Sequence, residues 1–253
     1  MPSPDFGPPL GGPRRNSVAN YLEQSGPVDH SGAGASGQAS AGSTAETAEL
    51  ETGTTVVALT AAEGVVMAAD RRMSLGGRFT ANKQVNKIER VHPTAVMGIS
   101  GAVGPARDLV ASLRAEASLY ESRRGETMSM TALSRTAAHL VRGVPVTPLL
   151  AGVDDEGGRV YELDGGGSAL ADDYAATGSG LQVAYGVLER RYEEEASLPA
   201  AREAAMDAVA AASERDTASG NGVTVATVTE HGVETASAED PADLDVDAAG
   251  EVA

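Results

Sequence analysis

The chain has 253 residues, 19 basic against 36 acidic side chains for a formal net charge of −17, and no cysteine. That charge repels polyanions and counts against nucleic acid as a partner. The absence of thiols excludes disulfides, thiolate metal sites and a cysteine nucleophile, and no run approaches the roughly 18 consecutive apolar residues of a membrane helix.

Aromatic residues are 3% and tryptophan is absent, so a core must come mainly from Ala, Val, Leu, Ile and Met. Lysine is nearly absent too: Lys83 and Lys87 stand beside 17 arginines. An acidic surface with little lysine suits a protein living in concentrated salt, where screening relieves carboxylate repulsion.

Residues 1–53 hold six of the twelve prolines, nine glycines and seven serines, with almost no apolar periodicity. This composition predicts a disordered leader. Arg14-Arg15 does not open an export signal, because Asn16 to Gln24 supplies no apolar region, and the expected location is the cytoplasm. Thr54–Thr60 and Gly64–Asp70 read as two strands joined by a tight turn, and Thr94–Ser100 as a third. Pro105 suits the first position of a helix carrying Leu109, Val110, Leu113, Ala117 and Tyr120 on one face. Met130, Leu133, Ala137, Leu140 and Val141 give a second helix. Strands return at Thr147–Val153 and Arg159–Leu163. Two more helices follow, one with Leu181, Ala184, Leu188 and Tyr192, the other spanning Ala200–Ser213. Val223–Thr229 is the last predicted strand, and residues 234–253, with seven acids and no base, read as a solvated tail. Helices in adjacent pairs disfavour a doubly wound parallel sheet and favour antiparallel sheets covered by helical layers.

Five blocks then occur in order: TGTTVVALT at Thr52–Thr60, ADRR at Ala69–Arg72, SGAVG at Ser100–Gly104, TGSG at Thr177–Gly180 and RDTASG at Arg215–Gly220. Together they resemble the archaeal proteasome β subunits, of the N-terminal-nucleophile hydrolase class, over roughly Gly53 to Thr229. The resemblance implies an α+β fold, a four-layer αββα sandwich of two antiparallel sheets between helical layers. It implies three segments: a propeptide over 1–53 removed by autolysis, a catalytic domain over 54–233 and the acidic tail over 234–253.

In this class a Gly-Thr bond is cut so that the threonine becomes the mature N-terminus, and Gly53-Thr54 is the matching pair. Thr54 would then carry a hydroxyl nucleophile and a free α-amine together. Such an amine has a pKa of about 7.7–8.0, so a useful fraction is neutral and basic at physiological pH. The methyl on its Cβ restricts χ1 and holds Oγ in place. Taken alone, Gly-Thr is also an ordinary strand start beside a turn.

A cation near the hydroxyl favours its ionised form. Lys87, in NKIERV, matches the family lysine, although it stands one residue further from Asp70 than the family spacing, which implies a small insertion around Gly76-Gly77. Lys83 is the alternative. A lysine kept where arginine is otherwise used suggests a point charge fitted to a tight pocket. By resemblance Asp70 pairs with Lys87, and Ser179, Asp216 and Ser219 hydrogen-bond around the threonine amine; a strand-end carboxylate and ordinary turn residues are the alternative readings. Leu181 stands where the family pattern has a second serine. Gly101 is the candidate oxyanion donor, with a turn before the helix as its other explanation. Met73, Ile99 and Val103 would line an apolar pocket for the side chain preceding the cut bond, and Ser74 would bind the substrate main chain.

His30, His92, His139 and His231 show no metal-ligand spacing, and neither the nucleophile-elbow nor the dinucleotide-binding glycine pattern is present, so neither a metal nor a cofactor is expected. The resemblance further implies seven-membered β rings capped by α-subunit rings, an ATPase regulator acting through the α ring, and unfolded polypeptide as substrate. A non-catalytic ring subunit of the same fold and a small-molecule amidase of the same class remain as alternatives.

Overall fold

The structure, a computed structural model, describes residues 53–75 and 77–244. The expected disorder of the leader, the Gly76 part of the expected insertion and the tail beyond 244 therefore lie outside the described residues. In chain order, β1 (Thr55–Ala61) and β2 (Gly64–Asp70) form a hairpin, and β3 (Met73–Leu75) and β4 (Phe79–Asn82) a smaller one. Strands β5 (Ile88–His92) and β6 (Ala95–Gly101) lead into helices α1 (Val103–Arg124) and α2 (Met130–Leu140). Then come β7 (Val146–Asp154), β8 (Gly157–Leu163), β9 (Ala169–Asp172), β10 (Tyr174–Gly178), α3 (Leu181–Arg191), α4 (Leu198–Arg215), β11 (Val223–Thr229) and β12 (Gly232–Ala238).

Two five-stranded antiparallel sheets result, ordered β10-β1-β2-β11-β12 and β5-β6-β7-β8-β9. Their packing follows from the two-residue period of a strand. In β1, Val56 and Ala58 enter the core between the sheets, while Val57 and Leu59 enter the core under α3 and α4. In β2, Val65 and Met67 point one way and Val66 and Ala68 the other. Both faces are covered, which is why these strands read as continuous apolar runs rather than alternating ones. A third core joins α1 and α2, through Leu109, Leu113, Leu133 and Ala137, to Met97 and Leu150 of the other sheet. Three cores make four layers, the αββα sandwich expected from the sequence.

The structure moves several boundaries. Helix α1 starts at Val103, so Pro105 occupies its third position, where the backbone N–H would have no intrahelical acceptor in any case. Helix α4 extends two residues beyond each predicted end, from a cap at Ser197, whose Oγ accepts from the Ala200 N–H. The acidic tail does not begin at Glu234: residues 234–238 belong to β12, paired with β11 from Thr229↔Gly232 to Val223↔Ala238. This edge strand is half exposed and polar, so it lacks the apolar signal of the interior strands.

Candidate active site

The topology gathers five chain segments at one end of the sandwich. Strand β1 begins there, and its antiparallel neighbours β2 and β10 end there, with Thr55 opposite Gly178. Strand β11 starts there with Val223 opposite Asp70, directly after the loop that follows α4. The end of β6, at Gly101, lines the same cleft as Thr54.

Thr54 is 2% exposed, immediately ahead of β1. Its Oγ1 donates to the Gly53 carbonyl oxygen at 2.7 Å, and Lys87 Nζ donates to the same oxygen at 3.3 Å. Lys87 Nζ lies 2.6 Å from Asp70 Oδ1. Asp70 is wholly buried and accepts three backbone N–H groups besides: Thr55 at Oδ1 (2.9 Å), and Arg72 (3.0 Å) and Gly220 (2.9 Å) at Oδ2. A buried carboxylate with a cation and three amide donors is fully satisfied. Lys87 is 7% exposed, and burial pushes its ammonium below the usual lysine value, against the opposing pull of Asp70. Lys83, the alternative lysine, is exposed on the loop after β4 and has no such partner among the described residues.

A second network approaches Thr54 from the other side. The Thr54 N–H donates to Ser179 Oγ at 3.2 Å, Ser179 Oγ lies 2.5 Å from Asp216 Oδ2, and Ser219 Oγ lies 2.6 Å from the same oxygen. Ser179 Oγ is also 3.3 Å from the Thr54 carbonyl. One hydroxyl proton cannot serve both, and the shorter, charge-assisted contact to Asp216 takes it. Ser219 likewise spends its proton on Asp216, which leaves Thr55 Oγ1, 2.8 Å away, as donor to Ser219. Leu181 is the first residue of α3, with its side chain partly exposed.

The remaining candidates surround the Gly53-Thr54 bond. Ser74 Oγ accepts the Gly53 N–H at 3.1 Å, so it holds main chain on the upstream side of that bond. A Cβ on Gly53 would stand 1.8 Å from the Ala218 Cβ and 2.7 Å from Ser74 Oγ, so only glycine fits there. Gly101 has φ +113°, and a Cβ there would come within 2.6 Å of the Pro145 carbonyl oxygen; this left-handed turn lets backbone approach the cleft closely. Met73, Ile99 and Val103 line that cleft, of about 330 Å³, together with Thr54, Lys87 and Gly101.

Four contributors were not evident from the sequence. Thr55 completes the Ser219 network. Arg72 ties down the loop after α4 through Asn221 Oδ1 (2.9 Å) and the Thr217 carbonyl (2.8 Å). Val85 and Asn86 join the cleft wall. A larger opening of about 1330 Å³ lies at the opposite end of the sandwich, around Glu63, His92 and Asp154, away from the threonine. Among the described residues no group of three or more His, Cys, Asp or Glu side chains is arranged to hold a metal ion, and no helix is long and apolar enough to cross a membrane.

The chemical capacity of the threonine end is that of acyl transfer: a hydroxyl on a carbonyl, a cation on that carbonyl's oxygen, and a hydrogen-bonded network behind the nitrogen that would leave. Residues 50–228 match the family described as Proteasome subunit. The chain is 54% identical over 196 residues to a protein named proteasome subunit beta from Halorhabdus utahensis, covering 76% of this chain and 84% of that one. It is 53% identical over 188 residues to a proteasome subunit beta of Halobacterium salinarum, covering 73% and 77%. Against a proteasome subunit beta of Natronomonas pharaonis the identity is 52% over 187 residues, covering 73% and 78%.

Proposed function

This chain belongs to the proteasome subunit family as a haloarchaeal β subunit, and on that premise we propose that it is a catalytic one, a threonine endopeptidase acting on unfolded polypeptide with Thr54 as nucleophile. The observation that carries the reading is the convergence of Thr54 Oγ1 and Lys87 Nζ on the Gly53 carbonyl oxygen. In autoprocessing, Thr54 Oγ attacks the Gly53 carbonyl carbon, the C–N bond to Thr54 breaks, and an ester forms as the amine is released. Water then hydrolyses the ester, leaving the Gly53 carboxylate and Thr54 with a free α-amine. The same hydroxyl next attacks substrate, with that amine as base. Lys87, fixed by Asp70, supplies the cation. Ser179, Asp216 and Ser219 orient the amine, and the Gly101 N–H serves the oxyanion. Met73, Ile99 and Val103 favour apolar residues before the cut. The subunit would work in the cytoplasm, in seven-membered rings with other β subunits, capped by α subunits through which an ATPase regulator acts.

The reading sets a pH profile. Hydrolysis rises as the α-amine loses its proton, near about pH 7.7–8.0, and falls as Lys87 loses its own. Because burial lowers the Lys87 value from 10.5, the descending limb lies on the acid side of free lysine. A plateau persisting beyond pH 10.5 would remove Lys87 from the role of cation.

The fit at Gly53 separates processing from turnover. Gly53→Ala should slow leader removal about 100-fold, since displacements near 1 Å carry costs of that order and the added methyl must move by at least as much. The same core made with Thr54 already at the N-terminus should hydrolyse peptides normally. The direct test of function is the assembled core, prepared with its α partner in high salt and given a fluorogenic peptide with an apolar residue before the cut. Hydrolysis of that peptide supports the proposal. Turnover confined to small acyl-amides would instead identify an amidase.

A further inference from the structure

Resting on the roles given to Thr54 and Gly101 above, we propose that Thr177 is a positioning residue for the reaction. Its buried hydroxyl ties the two sheets together at the threonine end and so sets the distance from the Gly101 N–H to the Thr54 hydroxyl. The groups of the site come from both sheets. Thr54 precedes β1 and Asp70 ends β2 in one sheet, while Gly101 ends β6 and Lys87 directly precedes β5 in the other. Their mutual geometry therefore depends on how the sheets are held face to face.

Between the sheets the packing is largely apolar: Val56, Ala58 and Met67 share a core with Val96, Leu149 and Ala151, and such contacts are non-directional. The approach is close, since a Cβ on Gly98 would stand 2.5 Å from Val56 Cγ1. Two residues further along β6, on the same face, comes Ser100, and the residue opposite Val56 in β10 is Thr177. The Ser100 and Thr177 hydroxyl oxygens lie 3.1 Å apart, and each is 3.1 Å from the Thr147 carbonyl oxygen of β7. Both residues are more than nine-tenths buried, where an unpaired hydroxyl is costly. Thr177 thus reaches from the first sheet to two oxygens of the second, and a hydrogen bond, unlike the methyl contacts around it, fixes a distance. Its neighbours in sequence carry that distance to the site. Ser100 directly precedes Gly101, and Gly178, which follows Thr177, pairs with Thr55 so closely that a Cβ on it would stand 2.0 Å from the Thr54 carbonyl oxygen. Neither Ser100 nor Thr177 lines the cleft, so both act through Gly101 and Thr54.

The test measures kcat and KM of the assembled core in high salt on a fluorogenic peptide with leucine before the cut, per β chain that intact mass shows to begin at Thr54. Losing an oxyanion donor outright costs about 10²–10³ in kcat. Thr177→Val displaces the donor without removing it and should lower kcat about tenfold with KM unchanged, because the oxyanion forms only on the way through the transition state. The fold should hold, since Ser100 still donates to the Thr147 carbonyl. Thr177→Ser restores the hydroxyl and should recover most of the rate. Ser100→Ala should cost less than Thr177→Val, because Thr177 keeps its bond to Thr147, and the double variant should be no slower than Thr177→Val alone. Ser134→Ala removes a buried hydroxyl bonded within α2 and should leave kcat as it is. An unchanged kcat in Thr177→Val, a loss carried by KM, or an equal loss in Ser134→Ala overturns the proposal while leaving the peptidase reading intact. A parent core that hydrolyses no peptide overturns both.

Discussion

Thr54→Ala should assemble with residues 1–53 still attached and hydrolyse peptides at least about 10⁴-fold more slowly than the parent, the scale on which enzymes lose rate when their nucleophile is removed. The two defects share one cause. The hydroxyl that reaches the Gly53 carbonyl oxygen at 2.7 Å is the group proposed to cut the chain's own bond and then the substrate's. Folding should be little affected, because the Thr54 backbone N–H still donates to Ser179 Oγ and Lys87 still reaches the Gly53 carbonyl. Thr54→Ser keeps a hydroxyl and should still process, more slowly, since without the Cβ methyl χ1 is less restricted. Intact mass and a peptide assay on the same preparation check both outcomes, and a fully processed, active Thr54→Ala core would reject the assignment.

Asp70→Ala should abolish processing and peptidase activity and also destabilise the chain by about 3–5 kcal/mol, the usual cost of stranding one partner of a buried ion pair. Four donors converge on this wholly buried carboxylate: Lys87 Nζ and the N–H groups of Thr55, Arg72 and Gly220. Removing it leaves all four facing a void. Lys87→Ala should be as inactive but less destabilising, because the three backbone donors continue to stabilise the carboxylate. Denaturant midpoints of the two variants, compared with parent at one salt concentration, give the order. Lys87→Ala as the less stable of the two would mean that the pair is held together differently from the geometry described above.

How much of this was legible in the sequence depended on burial. Strands such as β1 and β2, covered on both faces, announce themselves as continuous runs of Val, Ala, Leu and Met. The half-exposed β12 and the short β9, rich in Ala, Thr, Asp and Glu, carry little apolar signal and lie at sheet edges. Strand β10 is also an edge strand, and its small residues hide it although it pairs with β1 along five residues. Helices α1 and α2 were readable from spacing because each buries a single face against a sheet.

At the site, Thr54, Asp70, Lys87, Ser179, Asp216 and Ser219 sit in short blocks, and the structure brings all six into two hydrogen-bonded networks. Spacing alone leaves Lys83 standing beside Lys87; in the structure the chain leaves Lys83 in solvent and seals Lys87 against Asp70. Nor does spacing reveal why glycine precedes Thr54, because the obstacle, Ala218, lies 165 positions along the chain and meets Gly53 only in three dimensions. Arg72 was hidden for the same reason, its partners Thr217 and Asn221 being brought to it by the loop after α4.

The most direct measurement is the N-terminal sequence of the assembled, peptide-hydrolysing core. The expected sequence is Thr-Thr-Val-Val, starting at Thr54, with residues 1–53 gone from the intact mass. An active core whose β chain starts at any residue upstream of Thr54 would contradict it, since a threonine still in amide linkage has no free amine with which to accept the proton.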